Sequence, residues 1–249
     1  MRAYLNVLIV VVLAVTVAVS CGKKKGEKPN VENPQTAADY VHRAKANFLS
    51  PDKAIKDATK AIEIDPKYAP AYEFRAERYT QLYDKTTKAE HARNAIADYD
   101  RLLDLKPTPN KAAEYYRSRG LLRMKIEDYD GAITDFRASG KARRGEPRTY
   151  EYLAQAFLAK NDRDNALKAY GIAIRFDPRN TSLLKARANI YSDMQDYDKA
   201  IADLMKVVEI QADNDTYIAL GKICEAKGDK LAAIDWYSKV KESDKPAPQ

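Results

Sequence analysis

The sequence predicts an all-α protein, a solenoid of about six stacked helix hairpins, and three observations carry that reading. From residue 36 onward apolar residues fall at helical spacing, as in Tyr150, Leu153, Ala154 and Phe157, then Ala166, Tyr170 and Ala173. Stripes at i, i+3, i+4 and i+7 cover one face of a helix. Glycine is scarce, 9 residues against 17 tyrosines, and no stretch alternates in the manner of a strand. Small residues come in pairs: Gly120 with Ala132, Ala154 with Ala166, Ala188 with Ala200 and Gly221 with Ala233 are each 12 apart, and the pairs recur after 34, 34 and 33 residues. Two antiparallel helices that cross closely need a small side chain on each. Each pair therefore marks a hairpin, and a hairpin hides its apolar face only against a stacked neighbour.

The first 35 residues stand apart. After Met1 and Arg2, Leu5 to Val19 is apolar except for Asn6 and Thr16, and Ala18, Val19, Ser20 and Cys21 follow. The run is shorter than the roughly 20 apolar residues a spanning helix needs, and small residues before a break suit signal peptidases. Residues 1–20 read as an export signal, either removed or kept as an anchor. The Ala18-Val19-Ser20-Cys21 ending resembles the bacterial lipobox, which implies that Cys21 is lipidated and becomes the first residue of the mature chain. Residues 21–35 carry two prolines and no apolar period, which predicts a flexible tether. Either fate of the signal places the rest of the chain at a membrane surface. The lipoprotein resemblance implies the extracytoplasmic side, and in a diderm source the outer membrane facing the periplasm.

The repeats occupy 36–68, 69–109, 110–146, 147–180, 181–213 and 214–247. The first is compressed, with Ala44 and Ala54 only 10 apart across Ser50 and Pro51. The second is expanded, with 19 residues between Ala76 and Ala95, so that residues 80–91 hold either about two extra helical turns or a loop. The small residues, the turns at Glu127-Asp128-Tyr129-Asp130-Gly131-Ala132 and Asp196-Tyr197-Asp198-Lys199-Ala200, and the Asp65-Pro66 and Asp177-Pro178 endings resemble the tetratricopeptide repeat. The resemblance covers most of residues 36–249 and implies a right-handed superhelix of such hairpins. Joined to the lipobox, it is similar in architecture to type IV pilus pilotins and to lipoprotein adaptors of cell-wall hydrolases.

Comparison of the repeats with one another predicts an ion pair. Arg43, Arg75, Arg119 and Arg187 each precede the small residue of a first helix, and the same four repeats carry Asp57, Asp98, Asp135 and Asp203 three residues after the alanine of the second. The other two repeats lose both, holding Leu153 with Ala169 and Leu220 with Trp236. Joint gain and loss predicts that each arginine meets its own repeat's aspartate across the hairpin, where a planar guanidinium suits a carboxylate.

In the tetratricopeptide family the first helices line a concave surface that holds peptides or partner helices. The resemblance places there Glu73, Glu77, Arg117, Leu121, Arg148, Glu151, Gln155, Lys185, Asn189, Asp193 and Lys222. Lys185 and Asn189 lie one turn apart, as in members that clamp a terminal carboxylate, but Glu151 and Gln155 stand where the rest of that clamp belongs. The surface reads as acidic at Glu73 and Glu77 and basic from Arg117 to Lys222, which favours a partner of opposite polarity. On the last helix Leu231, Ile234, Trp236, Tyr237 and Val240 either face a partner or pack inward.

Several functions are excluded. No Gly-rich phosphate loop, G-x-S-x-G elbow or H-E-x-x-H motif occurs, and Cys224 falls in an apolar stripe, so the chain does not read as an enzyme. Two cysteines and the isolated His42 and His91 supply neither a disulfide framework nor a metal site, and no cofactor is implied. The net charge of +7 falls to a balance of +4 once residues 1–35 are set aside. That balance over a long helical surface, together with export, argues against nucleic acid. The expected function is a membrane-anchored adaptor holding a protein or peptide partner. The alternative is a binder of anionic polymer through Arg117, Arg143, Arg144, Arg148 and Lys185. Nothing in the sequence specifies an oligomeric state.

Overall fold

The computed structural model describes residues 32–240 except Phe48. Cys21, the export signal and nearly all of the expected tether therefore lie outside the described residues, as do residues 241–249. Among the described residues there are twelve helices and no strand. They are α1 (Ala37–Ala46), α2 (Pro51–Ile64), α3 (Ala69–Thr86), α4 (Ala89–Asp104), α5 (Pro109–Lys125), α6 (Tyr129–Ala142), α7 (Pro147–Ala159), α8 (Arg163–Phe176), α9 (Thr181–Asp193), α10 (Tyr197–Ile210), α11 (Asn214–Lys227) and α12 (Lys230–Ser238). The described residues form two compact units, divided between Ala71 and Tyr72.

In the first unit α1 and α2 form a hairpin. A capping box starts α1: Thr36 Oγ1 accepts from the Asp39 amide at 3.2 Å and Asp39 Oδ2 accepts from the Thr36 amide at 3.1 Å. Such reciprocal bonds satisfy two of the amides a helix start leaves unpaired. Pro51 opens α2 where a missing N–H costs nothing. Ala44, Ala54 and Ala58 are fully buried, so the compressed repeat still lets the two helices approach closely. Ala37, Val41, Ala61 and Ala71 form its core, with Tyr40, Ile62 and Tyr68 packed against them.

The second unit repeats the hairpin. α5 packs on α6, α7 on α8, α9 on α10 and α11 on α12, and α6 on α7, α8 on α9 and α10 on α11 join one hairpin to the next. Ala76, Ala95, Ala132, Ala154, Ala166, Ala188 and Ala200 are all fully buried. The expansion of the second repeat is helical: α3 runs for 18 residues, against 13 in α7 and α9. The largest continuous core lies in the third to fifth repeats, where Phe136, Leu153, Phe157, Tyr170 and Leu183 meet.

Each later hairpin turns in the same way. Asp128, Asp162 and Asp229 cap α6, α8 and α12 by accepting an amide three residues on, at 3.0, 3.1 and 3.0 Å. Just before each cap one residue is left-handed: Glu127 (φ 63°), Asn161 (φ 59°), Gln195 (φ 60°) and Gly228 (φ 91°). Only the sixth repeat places a glycine there, and a side chain at positive φ costs about 1–2 kcal/mol. Gln195→Gly is therefore expected to stabilise the protein by about 0.5–1 kcal/mol, after the greater freedom of glycine in the unfolded chain is subtracted. A thermal or urea melt checks the sign, and a lower midpoint would show that Gln195 makes a contact worth more than its strain.

Candidate functional site

The four arginine–aspartate pairs are formed. Arg43 reaches Asp57 with Nη2 at 2.7 Å and Nε at 3.0 Å, and Arg75 reaches Asp98 with the same geometry. Arg119 holds Asp135 with Nη2 at 2.6 Å and Nε at 3.0 Å, and Arg187 holds Asp203 with both nitrogens at 2.7 Å. Each guanidinium also lies near a tyrosine ring of its own helix: Tyr40, Tyr72, Tyr116 and Tyr191. The hydrogen bonds to Asp57 and Asp203 hold Arg43 and Arg187 above the ordinary guanidinium range. For Arg75 and Arg119 burial works the other way, and the aspartates overcome it. Burial pushes Asp98 up although Arg75 pulls it down, so this pair fixes the register of its hairpin at a cost in desolvation.

The third repeat goes beyond the sequence pattern. Asp135 is fully buried and takes a second guanidinium, Arg123 Nη1 at 2.9 Å, while Arg119 also reaches Asp100 of the preceding repeat. In the fourth and sixth repeats the replacing residues pack as core. Leu153 and Ala169 are buried, as is Leu220, on which Trp236 packs.

The first helices of the second unit lie in a row. Tyr83 Oη on α3 donates to the Lys125 carbonyl on α5 at 2.8 Å, and Lys125 pairs with Asp84. α5 touches α7, and Lys185 on α9 pairs at 2.8 Å with Asp213, the cap of α11. Burial alone would raise Asp213, but the bonds from Lys185 and Thr216 hold it below the usual carboxylate range.

The expected surface residues fall on this row in two groups. Glu77, Arg148, Gln155, Asn189, Asp193 and Lys222 are exposed. Glu73, Arg117, Leu121, Glu151 and Lys185 are half-buried. Glu73 accepts from Tyr115 Oη and faces Lys111 at 3.4 Å, and Glu151 accepts from Gln155 Nε2 at 3.4 Å. Burial, with Glu73 beside it, raises Tyr115 far above the usual phenol range. Leu121 lines a small cavity of about 190 Å³ with Thr80, Tyr99, Ser118 and Lys125.

The basic stretch expected from Arg117 to Lys222 is corrected. Arg117 faces Glu146 at 3.6 Å and Lys185 faces Asp213, so two of its cations are neutralised by the acids that end their own repeats and cap the next first helix. Spacing within one helix does not reveal those acids, because they lie 28–29 residues away and arrive only through stacking. The last helix divides its apolar residues. Tyr237 packs on Gly221 and donates to Glu225 at 2.8 Å, Val240 is buried, and Leu231 and Ile234 are 83% and 64% exposed. Burial, then the Glu225 bond, pushes the Tyr237 phenol up to about 12. Cys224 is a free, buried thiol, raised by burial. No group of three His, Cys, Asp or Glu that could hold a metal occurs among the described residues, and no described helix is long and apolar enough to cross a membrane.

A row of helix hairpins with small residues at each crossing defines a helical-repeat fold. Residues 186–214 and 215–246 match the family model of the tetratricopeptide repeat. The chain is 22% identical over 191 residues to Superkiller protein 3 of Schizosaccharomyces pombe, covering 74% of this chain and 14% of that one. To the mitochondrial import receptor subunit TOM70 of Rattus norvegicus it is 25% identical over 199 residues, covering 74% and 30%. The chain thus spans less than a third of the length of these relatives. Among solved structures it is similar to a tetratricopeptide repeat protein from Parabacteroides merdae, with a TM-score of 0.52, 25% identity and coverage of 84% and 78%. It is also similar to YrrB, described as a TPR protein with an unusual peptide-binding site, with a TM-score of 0.57, 18% identity and coverage of 77% and 92%. PilF of Pseudomonas aeruginosa shares the fold, with a TM-score of 0.56, 16% identity and coverage of 85% and 93%.

Proposed function

We propose that this chain is a lipid-anchored adaptor of the bacterial envelope, held to the membrane through acylated Cys21 and docking a protein partner along its row of first helices. Tetratricopeptide proteins generally mediate protein–protein contacts, and the observation that carries the reading here is the state of the row. Arg148, Asn189, Asp193 and Lys222 project from rigid hairpins and are exposed. Among the described residues none of these four side chains is engaged in a hydrogen bond or ion pair, so their donors and acceptors are available to a ligand. Hydrogen-bonding side chains spread over three successive repeats suit an extended peptide or a partner helix. The export signal and lipobox resemblance supply the envelope setting, on the extracytoplasmic side and, in a diderm cell, on the periplasmic face of the outer membrane.

The anionic-polymer alternative is weaker. Of its five cations, Arg117 and Arg143 face Glu146 and Lys185 faces Asp213, which leaves Arg144 and Arg148.

The test has two arms. Metabolic labelling with palmitate should mark the full-length protein and not Cys21→Ala; equal labelling removes the anchor. Cross-linking in the native membrane should join the wild type to an envelope protein, and Arg148→Glu with Asn189→Arg and Lys222→Glu should cut that product at least about tenfold. These positions are exposed, so the variant should melt like the wild type, and an undiminished cross-link would refute docking on this face.

A further inference from the structure

The fourth repeat lacks the buried ion pair, and the cleft beside that position has an apolar floor in place of a charged one. Leu153 and Ala169 stand where the other repeats hold arginine and aspartate, and between α6, α7 and α8 there is a cleft of about 420 Å³. Its floor is apolar, made by Tyr150, Leu153, Phe157 and Ile172. Its rim is cationic: Arg137 and Lys141 on α6, Arg144 just beyond it, and Lys168 on α8. No carboxylate lines it. Arg137 lies over the Phe157 ring at 5.4 Å, Lys168 donates to Asn165 Oδ1 at 3.3 Å, and among the described residues none of the four cations is in an ion pair. The corresponding cleft of the first repeat is lined by Arg43 and Asp57 themselves.

This cleft is separate from the first-helix row. Tyr150, Leu153 and Phe157 are two residues out of step with Arg148, Glu151 and Gln155 along α7. At 3.6 residues per turn that is about 200° around the helix, which places the two sets on opposite sides.

We propose that the cleft is a second docking site, for an acidic peptide segment of a partner protein. One aromatic or branched aliphatic side chain enters between Leu153, Phe157 and Ile172, and flanking carboxylates meet Arg137, Lys141, Arg144 and Lys168. The volume is in the range of ligand pockets. The cations are spread over two helices rather than gathered at one point, which suits several carboxylates around a side chain better than a single anionic head group. Opposite charge also speeds encounter and fixes orientation. The site goes beyond the first-helix reading and stands or falls separately from it.

The experiment is fluorescence anisotropy with a labelled, capped pentapeptide in which four acidic residues surround a phenylalanine. The wild type should bind it, and replacing the phenylalanine by alanine should weaken binding about tenfold or more. Lys141→Glu with Arg144→Glu should weaken it at least as much, and so should Leu153→Arg with Ala169→Asp, which rebuilds in the fourth repeat the pair that four others contain. Arg148→Glu with Asn189→Arg should leave binding within about twofold. Three results would overturn the proposal: equal affinity for the phenylalanine and alanine peptides, loss on the first-helix variant in place of the cleft variants, or binding of anionic phospholipid vesicles with none of the peptide. Should the rebuilt pair fail to fold, the exposed Lys141 and Arg144 variant decides alone.

Discussion

Asp135→Ala is expected to lower the unfolding free energy by about 3–5 kcal/mol, the loss typical when one member of a buried ion network is removed. Asp135 is fully buried and serves both Arg119 and Arg123, whose side chains are only 14% and 21% exposed. Removing the carboxylate leaves two guanidiniums facing each other with little water to take its place. Asp57→Ala should cost much less, because its partner Arg43 is 33% exposed and can turn to solvent. Urea titrations of the two variants measure the contrast. Equal midpoints would mean that Arg119 and Arg123 escape to water or are carried by Asp100 and Asp128 alone. Replacing all three residues of the network by apolar side chains of similar volume should restore most of the loss, since the network's own desolvation disappears with it.

Phe136→Ala is expected to cost about 3–5 kcal/mol, because the ring is fully buried at the crossing of α5 and α6. The fit there is tight: a Cβ on Gly120 would lie 2.8 Å from Phe136 Cε1. Gly120→Ala should therefore destabilise by about 1–2 kcal/mol, the strain of overpacking exceeding the roughly 1 kcal/mol that alanine gains in a helix. In a Phe136→Leu background, where the ring is gone, the same substitution should change sign and stabilise. Chemical melts of the four proteins complete the cycle, and a Gly120→Ala cost unchanged by Phe136→Leu would locate the strain elsewhere. Gly221 faces Tyr237 more closely still, but Tyr237 is half-exposed on the last described helix and has room to swing aside.

The hairpins were legible because their cause is local. A small residue at each crossing and a 12-residue separation follow from how closely two helices approach, and both can be counted along the chain. The Arg43–Asp57 type of pair was legible for a different reason: the repeats vary independently, and Leu153 with Ala169 shows that both partners disappear together. The second guanidinium on Asp135 was not legible, because Arg123 has an ordinary place near the end of α5 and reaches inward only because Gly131 leaves space; a Cβ there would lie 2.8 Å from Arg123 Cδ. Lys185–Asp213 and Arg117–Glu146 were hidden because each joins a first helix to the cap of the next one, 28–29 residues on. In residues 80–91 spacing left helix or loop open, and α3 settles it as helix through Thr86. On α12 the apolar residues gave no direction, since Trp236 and Tyr237 turn inward while Leu231 and Ile234 face out.

The charges that stiffen each hairpin and those that link one hairpin to the next differ in kind. Within repeats the arginine–aspartate pairs are shielded. Between repeats Lys160–Asp130 and Lys227–Asp198 sit at the surface, with aspartates that are 80% exposed. Dissolved ions weaken the second kind far more than the first. Within residues 72–240 the hairpins thus act as stiff links and the electrostatic part of each joint as a spring whose tension follows the ionic strength of the surroundings, so salt loosens the joints before it loosens any link.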